Sequence, residues 1–307
     1  MAGQVLIVHF HMAGAATSIP EKNHAPQRAG AVWYQIVIAA AIILYLYAGV
    51  IVEMAGEWWT TPSQSQGLLI APLALYVAWL RRRRLFNEPA VPDGRGLWLI
   101  ALGCFLFLGG KLAAEYYVTR LSLVVLLLGC TWTFWGLIRV RTLALSFLLL
   151  VTMIPMPALV FNLLSTPLQL LASRIATEIA QMVGVSVYRD GNIIHLAGIS
   201  LGVEEACSGL HSLSALFVGG ILLGYLNCSG MLARAAVVLS STPIAIAMNV
   251  VRVTGTAILA DSREEFAMGF YHAFSGWLVF LGGFFLLYAF SMAIHHVFDR
   301  HLKVAAA

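Results

Sequence analysis

Between Ala31 and Ile294 the chain is a succession of apolar runs, most of them about 20 residues long, separated by short polar loops. A helix of about 20 residues crosses the ~30 Å hydrocarbon core of a bilayer. Inside that core every backbone polar group must find its partner within the protein. The pattern therefore admits few folds. Only 10% of the residues are charged, against about 25% in a soluble domain, too few to cover a water-facing surface. The chain reads as an all-α, polytopic membrane protein. Its formal charge of +4 does not indicate nucleic acid as a partner, because the basic residues lie in short clusters between apolar runs. Clusters of that kind orient loops in a bilayer, so membrane lipids are the surroundings to expect.

About eight transmembrane helices follow from the runs. The first, Ala31 to Val52, is followed by Glu53, Glu57 and the interface anchors Trp58 and Trp59. The second, about Gln66 to Leu80, ends in Arg81-Arg82-Arg83-Arg84. The third is Gly96 to Ala114, and the fourth is Leu121 to Ile138, closed by Arg139 and Arg141. The fifth, Thr142 to about Val160, carries Pro155 and Pro157 near its outer end, where they would kink or end a helix. The sixth runs from about Ser208 to Leu226, with Arg234 after it. The seventh, Ala235 to Ala260, contains Pro243, Asn249 and Arg252, and the eighth is about His272 to Ile294.

Basic clusters after alternate runs predict that both termini are cytoplasmic. Residues 1–30 read as a flexible cytoplasmic tail rather than a signal peptide. Residues 31–296 read as one transmembrane domain and 297–307 as a second cytoplasmic tail. The reading places the protein in the inner (cytoplasmic) membrane, multi-pass.

Residues 162–206 differ in kind and are expected outside the cytoplasm. Asn162 to Val183 carries Gln169, Arg174, Glu178 and Gln181. Its Leu164, Leu168, Leu171, Ile175 and Ile179 recur every three or four residues. This predicts an amphipathic helix along the outer interface. Val185–Arg189 and Asn192–Leu196 are β-rich runs split by Asp190-Gly191. They predict a hairpin with a type I′ turn. Ile199 to Val203 adds a candidate strand.

Directly after this element comes Glu204-Glu205-Ala206-Cys207-Ser208-Gly209. It places a thiol where a polar loop enters an apolar run. By the same topology Arg252 and His272 reach that outer boundary, so a nucleophile, a cation and an acid/base group share one depth. A helix N-terminus lowers a thiol pKa, and the N–H groups of Ser208 and Gly209 suit an oxyanion hole. Arg252 carries five fixed donors for an oxyanion or carboxylate. Snorkelling to headgroups is its plainer reading. His272 titrates near neutral pH, or simply belongs to an interfacial aromatic belt beside Tyr271 and Trp277. Glu204 and Glu205 read first as acids complementing the helix dipole. Cys207 and Cys228 lie at opposite ends of one run, roughly 30 Å apart as a helix, too far for a disulfide. No CxxC pair suggests a metal.

Three segments together resemble the exosortase/archaeosortase family: Val203 to Leu213 (VEEACSGLHSL), Pro243 to Arg252 (PIAIAMNVVR) and Tyr271 to Phe280 (YHAFSGWLVF). Met153 to Pro157 (MIPMP) and Gly191-Asn192-Ile193-Ile194 also fit. The resemblance covers roughly Trp58 to Phe290. It implies a membrane-embedded cysteine protease or transpeptidase in which Cys207, Arg252 and His272 are catalytic. Ser208, Gly209, Asn249, Glu204 and Glu205 stand beside them as supporting residues. The implied partners are proteins with a C-terminal sorting signal: a short motif such as Pro-Glu-Pro, a transmembrane helix and a basic tail. A surface acceptor is implied as well, without a metal or organic cofactor. The chain departs from the family pattern at Ser65-Gln66-Gly67, where many members have Ser-His-Gly, and at His211, where many have Arg. A transporter with Arg252 at its substrate site is the competing reading, although no internal repeat accompanies it.

Overall fold

The computed structural model describes residues 26–61, 64–203, 209–267 and 269–305, with the backbone alone at 26–32, 264, 267, 272 and 298–305. Met1–Tyr45 and Leu46–Ala307 form two compact units. The first is described only as the opening of helix α1 (Pro26–Thr60). The second holds the remaining elements.

Among the described residues, six helices are long and apolar enough to cross a membrane. They are α1, α5 (Tyr116–Trp135), α8 (Ala158–Met182), α9 (Leu210–Asn227), α10 (Met231–Ser262) and α11 (Gly269–Ala305). Two shorter apolar helices, α2 (Gly67–Leu80) and α4 (Gly96–Leu112), fall on the second and third expected spans. At 1.5 Å per residue they reach about 21 and 26 Å. The protein is thus an all-α membrane protein with a small sheet.

The expected fifth span is interrupted. After the short α6 (Leu137–Thr142), which covers the Arg139–Arg141 loop, it holds only α7 (Ala144–Thr152), and the backbone then leaves the helix until Pro157 caps α8. Pro155 and Pro157 lack N–H donors and push the residues before them out of the α region. The break therefore falls at the two prolines, as the sequence predicts, and the chain continues directly into α8. Trp58 differs from expectation. It is buried rather than interfacial, and its indole N–H donates to the Met153 carbonyl at 3.2 Å. Trp59 is 80% exposed and keeps the anchor position.

Helix α8 covers the expected amphipathic segment, with much of its leucine stripe exposed and its small residues packed inside. Leu164, Leu171 and Ile179 are exposed, whereas Ser165, Ala172, Ser173, Ala176, Thr177 and Ala180 are buried. Small residues let two backbones approach closely where the surroundings are apolar. Helix α10 buries Val237, Ser241, Ala245, Asn249, Val253 and Ala257, every fourth residue. Val237 and Ala245 cluster with α9 and α11, whereas Val253 clusters with Ala172, Ala176 and Ala180 of α8. The contact is joined by Val187, Ile194 and Val203 from the sheet region.

The sheet has the order β1 (Val187–Asp190), β2 (Ile193–Leu196), β3 (Ser200–Gly202), all antiparallel. The hairpin and third strand form as expected, with the turn moved by one residue. Asp190 pairs with Ile193, so Gly191 and Asn192 are the two central residues. Gly191 has φ +59°, while Asn192 is not in the positive-φ region. A positive φ at the first central position alone is the type II′ pattern, not I′.

Two ends of the helical assembly can be told apart without reference to a membrane. The starts of α2, α5 and α9 and the end of α7 surround one cavity, lined by Gln66, Tyr117, Thr152 and Leu210. At the other end Arg81, following α2, and Arg234, in the first turn of α10, both lie over the Tyr225 ring near the end of α9, at 4.8 and 5.0 Å. Burial, then Arg84 and Arg234, hold the Arg81 pKa below its usual value. Helices α2, α5 and α9 therefore run from the cavity end to the other, and α7 and α10 run the opposite way.

Candidate active site at the head of α9

Glu204, Glu205, Cys207 and Ser208 lie outside the described residues, as does the side chain of His272. The geometry around them is defined by what holds the two ends of the Cys207 loop. On the upstream side, Val203 N–H donates to the Asn192 carbonyl at 2.9 Å. The Asn192 side-chain amide donates to Val203 O and to Gln169 Oε1 of α8, each at 3.2 Å. Gln169 in turn donates to the buried Ser165 hydroxyl at 3.0 Å. Asn192 thus spends both amide hydrogens on carbonyl acceptors and ties the loop to α8.

On the downstream side Gly209 caps α9 in the left-handed region, φ +77°. A Cβ there would meet Asn249 Cγ, Cβ and Nδ2 at 2.6–2.9 Å. Glycine is required twice, by conformation and by the close approach of α10. Asn249 is itself 5% exposed.

Arg252 is three residues beyond Asn249 and therefore on the same face of α10. Its half-buried guanidinium lies against Gly276 of α11, where a Cβ would stand 2.9 Å from Nη2 and 3.0 Å from Cζ. His272 is in the first turn of α11, four residues before Gly276. Positions i and i+4 share a helix face. Helix α10 accordingly meets the start of α9 through Asn249 and the His272 face of α11 through Arg252. The structure brings Gly209, Asn249 and Arg252 into one region, with the backbone of His272 one helical turn from the guanidinium contact.

Residues that the sequence reading did not single out also enter. Asn192 and Gln169 are 23 positions apart, on a turn and a helix, and no local pattern announces their contact. Among the described residues no group of three or more His, Cys, Asp or Glu side chains forms a metal cluster. Cys104, Cys130 and Cys228 are not in disulfides.

A multi-pass helical assembly with a loop–helix junction of this kind defines the class of protein. Within it, the family model described as transmembrane exosortase matches residues 58–289. The chain belongs to that family. No curated protein and no solved structure matches it.

Proposed function

We propose that this exosortase-type membrane protein is a cysteine transpeptidase acting on proteins with a C-terminal sorting signal. The observation that carries the reading is the double contact of α10, by Asn249 to Gly209 and by Arg252 to Gly276. It supports convergence of the Cys207 loop, the guanidinium and the His272 face.

In this mechanism the Cys207 thiolate attacks the carbonyl at the end of a short motif such as Pro-Glu-Pro. Arg252, with the N–H groups at the head of α9, holds the oxyanion. His272 protonates the departing amine, which leaves with the transmembrane segment and basic tail. It then takes the proton from the acceptor nucleophile that attacks the Cys207 thioester. Ser208 contributes an N–H, and Glu204 or Glu205 orients the basic partners. The active site faces the extracytoplasmic side of the inner membrane, with residues 162–206 outside. The tails, 1–30 and 297–307, are cytoplasmic, and the acceptor is a surface molecule.

The test follows the mass of a sorting-signal protein in cells carrying variants. Cys207→Ala and Cys207→Ser should each abolish shortening while the protein remains inserted. Alanine at Cys104, Cys130 or Cys228 should leave shortening intact. Shortening that persists in Cys207→Ala cells overturns the nucleophile assignment.

A further inference from the structure

A cavity of about 540 Å³ begins beside Leu210 and His211, immediately after the Gly209 end of the loop. It follows α9 as far as Val218, about 12 Å along the helix, and reaches Thr242 midway along α10. The cavity therefore descends from the proposed cutting site into the depth of the spans. Its mouth is lateral. Met156, Val160, Leu164 and Phe217 line it and are yet 36–44% exposed. All four are apolar, so the opening suits the boundary between the hydrocarbon and the outer interface along which the start of α8 is expected to lie.

Apart from Thr242 at the deep end, the polar lining groups lie toward one end. Ser214 Oγ lies 3.0 Å from Gln66 Oε1 and 2.9 Å from the His211 carbonyl. Gln64 lines the same end. Among the described lining residues none is Asp, Glu, Lys or Arg. A charged occupant would be left uncompensated there.

These features select one kind of occupant. A helix begins with four backbone N–H groups that have no partner within it. In hydrocarbon each of them is costly. A cavity that is apolar along its length, with amide and hydroxyl acceptors at the end near the loop, matches such a helix start. An acyl chain would have no use for those acceptors.

We infer that this cavity is the subsite for the first turn of the substrate's transmembrane segment, on the leaving-group side of the cut. The segment enters sideways from the bilayer, and Gln66, Ser214 and His211 receive its uncharged N-terminal turn. This rests on the transpeptidase reading and adds to it where the leaving segment is held.

The test uses a reporter made of an extracytoplasmic domain, a sorting motif taken from the host's own proteins, an apolar span and a basic tail. In a Cys207→Ala background, p-benzoylphenylalanine at position 217 should crosslink the reporter, with adducts mapped to the first turn of its span. In wild-type cells, Lys at the second residue of the span should lower shortening by about tenfold or more while insertion is unchanged. Lys the same distance before the motif should have little effect. Adducts confined to residues before the motif, to the middle of the span or to phospholipid overturn the subsite while shortening by the wild type upholds the enzyme. A reporter that the wild type never shortens overturns the transpeptidase reading, and the subsite with it.

Discussion

Asn192 gives both hydrogens of its side-chain amide to acceptors, Gln169 Oε1 and Val203 O. An aspartate in its place has the same shape and no hydrogen to give. Asn192→Asp and Asn192→Ala should therefore both lower the turnover of sorting-signal processing several-fold, with little change in KM. A role limited to stability would lower the amount of folded protein and leave turnover alone. At the other end of the loop, Gly209→Ala forces a side chain into φ +77° and against Asn249. The backbone strain alone is worth about 1–3 kcal/mol. Both activity and thermal stability should drop, and Asn249→Ala should relieve the steric clash only in part, because its Cβ stays 2.7 Å away. Arg252→Lys keeps the charge and loses the planar fork of donors, so shortening should fail while insertion persists. Of these residues, Gly209, Asn249 and Arg252 were legible in the sequence, because polar or conformationally special types stand out in apolar runs. Asn192 and Gln169 were not. Their pairing is a tertiary contact between a turn and a helix face.

Elements show the same division. The hairpin was readable from β-rich runs around Asp190-Gly191, yet the turn formed one residue later. Asp-Gly suits a I′ turn as a local signal, but the held side chain of Asn192 places it in the second central position. The break between α7 and α8 follows from Pro155 and Pro157 and was readable from them. The amphipathic pattern of α8 was legible in its leucine stripe, but the small residues that make its helix contact were not, because a leucine stripe marks the core only when water is the alternative. Beside lipid, the small residues mark the contact.

Arg120 of α5, only 4% exposed, makes a bidentate pair with Glu57 of α1 at 2.5 and 2.8 Å. Removing one partner leaves a buried guanidinium uncompensated. Glu57→Ala should cost about 1–3 kcal/mol and be read as a lower Tm in detergent, whereas Arg120→Met should cost less. Asp93 at the start of α4 accepts from the Arg95 backbone N–H at 3.0 Å and from Trp132 Nε1 at 3.1 Å. The Arg95 bond first, then Trp132, hold its carboxyl below the usual range. Its contribution is therefore full above the ordinary carboxylate pKa and is lost as pH falls through the lowered value. The Tm difference between wild type and Asp93→Asn should be present at neutral pH and vanish in acid. A difference that grows in acid would contradict the assignment.

At the scale of the whole molecule, α2, α5 and α9 run one way and α7 and α10 the other, and the basic clusters after alternate runs predict which end is cytoplasmic. Reporter fusions at Arg84, Arg139, Arg234 and the C-terminus should report the cytoplasm. Those at Gly191 and Arg263 should report the opposite side. A cytoplasmic signal at Gly191 would separate Cys207 from the side on which sorting-signal proteins are exposed.

Helix α10 has 32 residues, about 48 Å of helix against ~30 Å of hydrocarbon. Counted from Met231, Arg252 stands about 32 Å up that rod, comparable with the hydrocarbon thickness, with the sheet and the buried face of α8 packed around the portion above. On the transpeptidase reading, a helix of this length would make the protein a gauge of height: a peptide bond presented at that level is cut, and one carried higher is passed over. Lengthening a substrate by a few residues between its sorting motif and its membrane span should therefore stop processing without altering the motif. A series of such spacers, read by the mass of the product, should show a sharp limit within about two residues, some 7 Å of extended chain. A gradual decline over many residues would mean that the cut is not measured from the membrane.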